Sequence, residues 1–589
     1  MKTKLTALAL GISLAYAASP AFAQASIESN GSGNEAFIEQ NASTDASASI
    51  TQNGNGNVAG VPGENPGDAP VAQGILQLDS TAVSAVIEQT GDTNTASVLQ
   101  DNAANSAAET SQNGSDNVAA TTQTGDTLSA DVVQSGTSNG ASVAQTGTNQ
   151  NATVSTIDST NGTATVSQSD SNNTATVAQS DVTNQTATVI QTGDSQLANV
   201  NQNAGAMEGS ATVTQSGNGH VAGVTQSDTW YSSATATQIG STNNVSITQG
   251  PLADYSTANV FQSGSDHNAS VAQSGGTAIG PGAVTKGQYQ ATVNQSGGTT
   301  NTATVNQANG YNDVAVINQN GGYEHVASIS QTGNNHTGTI TQTGVAHNDT
   351  ASVNQSGNDN TGAVLQTSTW FSTASIHQDG AFNDATVTQG SFADYSTASV
   401  NQSGNNNSAT IHQSGGSLSL PGDVLQGLYQ ASVTQTGADN TASVTQTNGY
   451  NDIATVTQTG SLQSATVAQN DSDSSSASIN QTGSLNDASV SQNNASNSSA
   501  AIAQDGTNND GLIDQLGGTL LTASIDQSGD WNYANIGQYG SGNQATVTQV
   551  GDGAVLAERN TAWILQNGNG HVASIAQSGN TNHAAIWQH

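Results

Sequence analysis

The stretch Gln435-Thr436-Gly437-Ala438-Asp439-Asn440-Thr441-Ala442-Ser443-Val444-Thr445-Gln446 decides the fold. Its second half alternates. Ala442, Val444 and Gln446 fall on one side of an extended chain and Ser443 and Thr445 on the other, the two-residue period of a strand and not the 3.6 of a helix. Its first half carries turn chemistry, because Gly437 accepts positive φ and Asn440 tolerates the left-handed region. Each such unit is predicted to be a strand of about five residues followed by a tight turn.

Working outward, the closing glutamine recurs in phase. Gln89, Gln100, Gln112, Gln123, Gln134 and Gln145 are followed, after a gap at Thr156, by Gln168, Gln179, Gln191 and Gln202. The series still runs at Gln481, Gln492, Gln504, Gln515, Gln527, Gln538 and Gln549, in steps of 11 or 12 with an occasional 13. One strand cannot bury its face alone, but two consecutive units can close a flat coil that stacks on the next. The predicted fold class is therefore all-β: a β-solenoid, or cross-β stack, of two-stranded coils of about 23 residues. In such a stack equal positions sit above one another, and glutamines form amide ladders that satisfy buried donors and acceptors. The ladder is assigned to Gln100, Gln123, Gln145, Gln168, Gln191, Gln342, Gln366, Gln389, Gln413, Gln435, Gln446, Gln469, Gln481, Gln504, Gln527, Gln549, Gln577 and Gln588. Gly437, Asn440, Gly579 and Asn582 are assigned to turns.

Composition fits this reading better than disorder. Only 8% of the 589 residues are charged, with 42 Asp+Glu against 4 Lys+Arg and a formal net charge of -38. Aromatics are 4% and Cys is absent. The scarcity of cations removes nucleic acid as a partner, and the absence of Cys removes disulfides and thiol chemistry. Gln/Asn-rich tracts are usually disordered, but disorder needs no register, and here the phase is held along the chain. Like charges repeated at every coil would repel, so low charge suits a ladder.

The first 23 residues read as a signal peptide: Lys2 and Lys4, the apolar run Leu5 to Ala17, and Ala21-Phe22-Ala23 before a cut at Gln24. Its removal leaves Lys286 and Arg559 as the basic residues. No segment approaches the ~20 apolar residues of a membrane span, so the chain is expected to be secreted. Residues 24–589 read as one solenoid with Pro/Gly excursions near 59–75, 276–288, 415–427 and 550–560, since Pro cannot donate to a ladder. A longer repeat is visible too. Trp230 returns as Trp370, and Ala253–Ala258 returns as Ala393–Ala398, both offset by 140 residues. Taken as close to six coils, that offset preserves the stacking register.

The recurring Gln-x-Gly-x-x-Asn-x-Ala-x-x-x-Gln resembles the curlin repeat of curli amyloid fibre subunits. It extends from Gly31, Asn34, Ala36 and Gln40 to Gln577, Gly579, Asn582, Ala584 and Gln588. The chain differs from typical major subunits in carrying many more repeats. The resemblance implies a secreted, extracellular or cell-surface structural protein, exported through the periplasm of a bacterium. It would polymerise with copies of itself into fibres for biofilm matrix, cell adhesion and surface colonisation. It also implies a nucleator subunit, an outer-membrane secretion pore and a periplasmic chaperone as partners. The repeat begins close to Gln24 and reaches Gln588, so terminal coils are expected to offer unpaired strand edges to another chain. The alternative is a secreted monomeric β-solenoid rod, an adhesin or an ice-binding protein; outward Thr pairs such as Thr212 and Thr214 raise the latter.

No catalytic residues, cofactor site or metal site are assigned, and the chain is not read as an enzyme. His377 and His412 stand in outward positions before a repeat glutamine, and acids such as Asp92, Asp126 and Asp194 favour turns. Gly540-x-Gly542-x-x-Ala545 superficially matches a dinucleotide fingerprint but opens a strand, not a helix. Trp230, Tyr231, Tyr255, Trp370, Phe371 and Tyr395 admit two readings: cover for the narrow core and its excursions, or a lateral contact stripe. Tyr289 and Tyr429 belong to the same duplicated set.

Overall fold

Alternation of small apolar, β-branched and amide residues produces strands that bury every second side chain. The computed structural model describes residues 23–60, 74–278, 285–345, 347–416, 427–553 and 555–589. The signal-peptide reading lies outside these residues except for Ala23, as do most of the excursions at 59–75 and 415–427 and the centre of that at 276–288. Two compact units divide the chain, Met1–Tyr289 and Gln290–His589.

In each unit consecutive strands alternate between two parallel sheets, so that a strand pairs with the second strand before and after it. In the first unit Val118–Asp126 lies between Thr95–Ala104 and Gly140–Thr148, with Ala119 opposite Ala96 and Ala141. In the second, Thr441–Thr447 lies between Ser408–Ser414 and Ser464–Asn470, with Val444 opposite Ile411 and Val467. This is the β-solenoid read from the sequence. Parallel, in-register pairing follows from the constant repeat length, which returns the same residue type to the same height each coil.

The core between the sheets is narrow. Ala442, Val444 and Gln446 are buried while the residues between them are partly exposed. The largest fully buried side chains are Tyr289 and Tyr429, and the rest of that set are isoleucines and one leucine.

Three expectations are corrected. Strands are longer than five residues: Gln430–Ala438 has 9 and Thr441–Thr447 has 7. The chain stays extended beyond the glutamine because the backbone of Thr436, Gly437 and Ala438 keeps pairing with the next coil. The excursion at 550–560 is shorter than read, since Gln544–Asp552 is a strand; a short 3-10 helix, Leu556–Glu558, follows it. The 140-residue offset is not a whole number of coils. Counted along the described residues, Thr373–Ala381 is the eleventh coil strand after Ser233–Ser241, an odd number. Part of the excess is taken up by excursions. The corresponding bond from Gln402 to Gln435 spans 33 residues, against 23 from Gln435 to Gln458.

Elsewhere too the glutamine columns continue across the longer intervals that contain the excursions. Gln52 bonds Gln89 across 37 residues around the first, and Gln549 bonds Gln577 across 28 around the last. Around the second, Thr277–Ala278 and Thr285–Lys286 pair as a short antiparallel ladder.

Candidate functional site: amide ladders and corner columns

The glutamine closing each Ala-x-Val/Ile-x-Gln alternation points inward, where its carboxamide would be costly without partners. Its neighbour one coil on supplies them. In the first unit Gln100 Nε2 donates to Gln123 Oε1 at 2.9 Å, Gln123 to Gln145 at 3.0 Å, Gln145 to Gln168 at 2.9 Å and Gln168 to Gln191 at 2.8 Å. In the second unit Gln342, Gln366, Gln389, Gln413, Gln446 and Gln469 form one such column, each donating forward at 2.8–3.0 Å. It reaches Gln588, which accepts from Gln566. Gln435, Gln481, Gln504, Gln527, Gln549 and Gln577 belong to the other sheet's column, joined through Gln458. Glutamines adjacent in sequence therefore lie in different columns.

Each Nε2 also reaches main-chain oxygen, as Gln446 does to Gln430 at 3.2 Å and Asp452 at 2.9 Å. The donors all point the same way along the chain, so every coil presents acceptors to the coil before it and donors to the coil after it. The gap at Thr156 breaks this order: Thr156 stands between Gln134 and Gln179, and Gln179 Oε1 has no partner.

The corners contain a second set of columns. Gly437 has φ +119°, and a Cβ there would fall 1.9 Å from the Gly460 carbonyl oxygen. The left-handed residue is Asp439, φ 57°, and not Asn440; at the last corner it is Thr581, φ 61°, and not Asn582. The reason is that the asparagine turns inward to serve as a cap. Asn440 is buried, its main-chain N–H donates to Asn407 Oδ1 at 3.2 Å, and its Nδ2 donates to the Gly460 carbonyl at 3.0 Å. Asn582 makes the equivalent main-chain bond to Asn560 at 3.1 Å. Gly579 has φ +88°.

Histidine and aspartate also occupy this cap position, which the sequence reading missed. His220, His325, His336, Asp313, Asp349 and Asp452 are all fully buried there. The signal was available, since each precedes the x-Ala/Gly-x-Val/Ile alternation by the spacing that Asn440 has. Burial pushes Asp313 and Asp349 up to about 7 and Asp452 up to about 8, and it pushes His325 down to about 4. His325 Nδ1 and Asp349 Oδ2 lie 3.9 Å apart, and burial disfavours the charged form of each.

The six aromatic residues lie on the outer side of corners, 43–46% exposed. Tyr231, Tyr255, Phe371 and Tyr395 each hold a left-handed φ of 54–57°. Register brings them together in pairs: Tyr231 stacks on Tyr255 at 4.9 Å and Phe371 on Tyr395 at 5.2 Å. Each ring in a pair covers one face of its partner. Trp370 meets His347 edge-on at 5.1 Å. Tyr289 and Tyr429 are buried instead, and the Tyr429 hydroxyl donates to the Gly449 carbonyl at 2.9 Å.

The geometry defines a class: a parallel β-solenoid whose interior is held by forward-donating amide columns. Four segments, 372–404, 404–447, 521–551 and 557–589, match the family model described as Curlin associated repeat. These matches place curlin-type repeats in the second unit. A comparison with curated proteins found no match. The β-solenoid fold and the curlin repeats point to a structural protein. Among the described residues no helix is long and apolar enough to cross a membrane.

Proposed function

We propose that this chain is a secreted subunit that self-assembles into curli-like amyloid fibres serving biofilm matrix, cell adhesion and surface colonisation. The observation that carries this reading is the uniform direction of the glutamine columns over in-register parallel strands. A coil that offers strand edges and amide donors to its successor offers the same surface to a coil of another copy, and main-chain pairing adds to it. By resemblance, a curli-type nucleator begins growth outside the cell, after passage through an outer-membrane pore aided by a periplasmic chaperone. The glutamine columns are the proposed assembly determinants; the stacked aromatic corners are secondary lateral contacts.

The test is growth from purified full-length chain without its signal segment, followed by thioflavin fluorescence with and without sheared fibre seeds. Seeds are expected to abolish the lag. A chain that remains monomeric and ignores seeds would overturn the fibre reading and favour the monomeric binding rod.

A further inference from the structure

Asparagine in the cap position uses its two side-chain atoms differently. Oδ1 accepts the main-chain N–H of the cap one coil on, and Nδ2 donates to a carbonyl twenty residues ahead. Asn360 shows both, accepting from Asn383 N–H at 3.0 Å and donating to the Gly380 carbonyl at 3.1 Å. Asp313 and Asp452 reproduce the first bond, with Oδ1 accepting from His336 N–H at 2.8 Å and from Ser475 N–H at 2.9 Å. Their Oδ2 atoms take the place of Nδ2, are buried, and have no hydrogen-bond partner when treated as acceptors.

What faces Oδ2 is another oxygen. A Cβ built on Gly310 would lie 1.5 Å from the Gly333 carbonyl oxygen and 2.7 Å from Asp313 Oδ2. On Gly449 it would lie 2.0 Å from the Ser472 carbonyl oxygen and 2.4 Å from Asp452 Oδ2. Carboxyl and carbonyl oxygens thus converge on one point, twenty residues apart as in the asparagine caps. Two acceptors cannot bond each other, and an unpartnered buried carboxylate is costly. A proton on Oδ2 resolves both problems and makes the acid an isostere of asparagine.

We infer that Asp313 and Asp452 are neutral carboxylic acids that donate from Oδ2 to the Gly333 and Ser472 carbonyls, locking two corners of the second unit with a proton each. This goes beyond the fibre reading and does not depend on it. Asp349 is excluded because its Oδ2 has the Thr369 hydroxyl at 2.7 Å and faces His325.

Among the described side chains no cation faces either acid. The charged or titratable group on the coil following Asp313 is His336, whose burial lowers its pKa and keeps it neutral. Around Asp452 stand Tyr429, raised by burial, and Asp473, which disfavours ionisation of Asp452 further.

Both acids are raised above the unfolded value of 3.8, to about 7 and about 8. Their stabilisation is therefore fully present below the unfolded value and lost as pH rises through the folded values. Buried histidines act with the opposite sign as pH falls below their ordinary value of 6.5, so the diagnostic window lies above it.

The experiment compares full-length chain with Asp313→Asn, Asp452→Asn and the double variant, from about pH 6.5 to about pH 9. Exchange of the His336 and Ser475 amide protons, corrected for intrinsic rate, is read alongside the infrared carboxylic-acid band. In the parent, protection is expected to fall about fourfold at the His336 amide and about thirtyfold at the Ser475 amide across the window, as folded values of about 7 and about 8 require. In the double variant it is expected to stay flat, with the acid band reduced. Equal pH dependence in parent and double variant, or no change in the acid band, would overturn the proposal. Loss of protection in the Asn variants at the acid end of the window would also overturn it, since an isostere should hold the corner there. Seeded growth is a separate readout, so failure of this inference is distinguishable from failure of the fibre reading.

Discussion

Gly437 and Gly517 both hold positive φ, at +119° and +62°, but only the first is crowded. A Cβ on Gly437 would collide with a carbonyl of the next coil, whereas one on Gly517 meets nothing within 4 Å. Gly437→Ala is expected to cost about 2–4 kcal/mol and Gly517→Ala about 1 kcal/mol, read from unfolding midpoints. Equal effects would mean that backbone conformation alone, and not stacking, sets the corner. A second residue-scale prediction concerns Thr156, which interrupts its glutamine column and leaves Gln179 Oε1 without a partner. Thr156→Gln is expected to stabilise the first unit by about 1 kcal/mol by restoring the run of bonds. Destabilisation would show that the register shift between Gln134 and Gly136 in the pairing with this strand has closed the space the amide needs.

At the scale of the element, the alternation of 11- and 12-residue steps distinguishes two kinds of corner. From Gln435 to Gln446 the turn uses Gly437 and the left-handed Asp439; from Gln446 to Gln458 it uses left-handed Asn448 and Asn451. Strand periodicity and coil length were legible in Ala442, Val444 and Gln446 because burial acts directly on alternation. The corner was only half legible. Asn440 reads as a turn former from its propensity, but the third dimension gives it a carbonyl to donate to, and Asp439 takes the left-handed role. His325 and Asp452 looked dispersed for the same reason: polar residues signal burial only when the column that contains them is known. The aromatic pairs were visible as a duplication, yet their stacking depended on register across 24 residues. Excursions are the elements that the ladder ignores. The bond from Gln413 to Gln446 spans 33 residues, ten more than from Gln446 to Gln469. Deleting residues 416–425 is therefore expected to change the unfolding free energy by no more than about 1 kcal/mol. A large loss would make the excursion part of the stack.

At the scale of the molecule, a chain with net charge -38 and few large apolar groups would be a poor candidate for several globular cores. Repetition changes that, because each coil completes the hydrogen bonding of its neighbour and the interior is filled by Ala, Val, Ile and Gln. The same completeness explains why self-association is the proposed role: the surface that satisfies the next coil is not specific to one chain. The most direct measurement is X-ray diffraction from aligned assemblies grown from the full-length chain. The account predicts a meridional reflection at about 4.7–4.8 Å from coils stacked along the fibre axis. Assemblies lacking that reflection, or a chain that forms no ordered assembly under seeding, would contradict it.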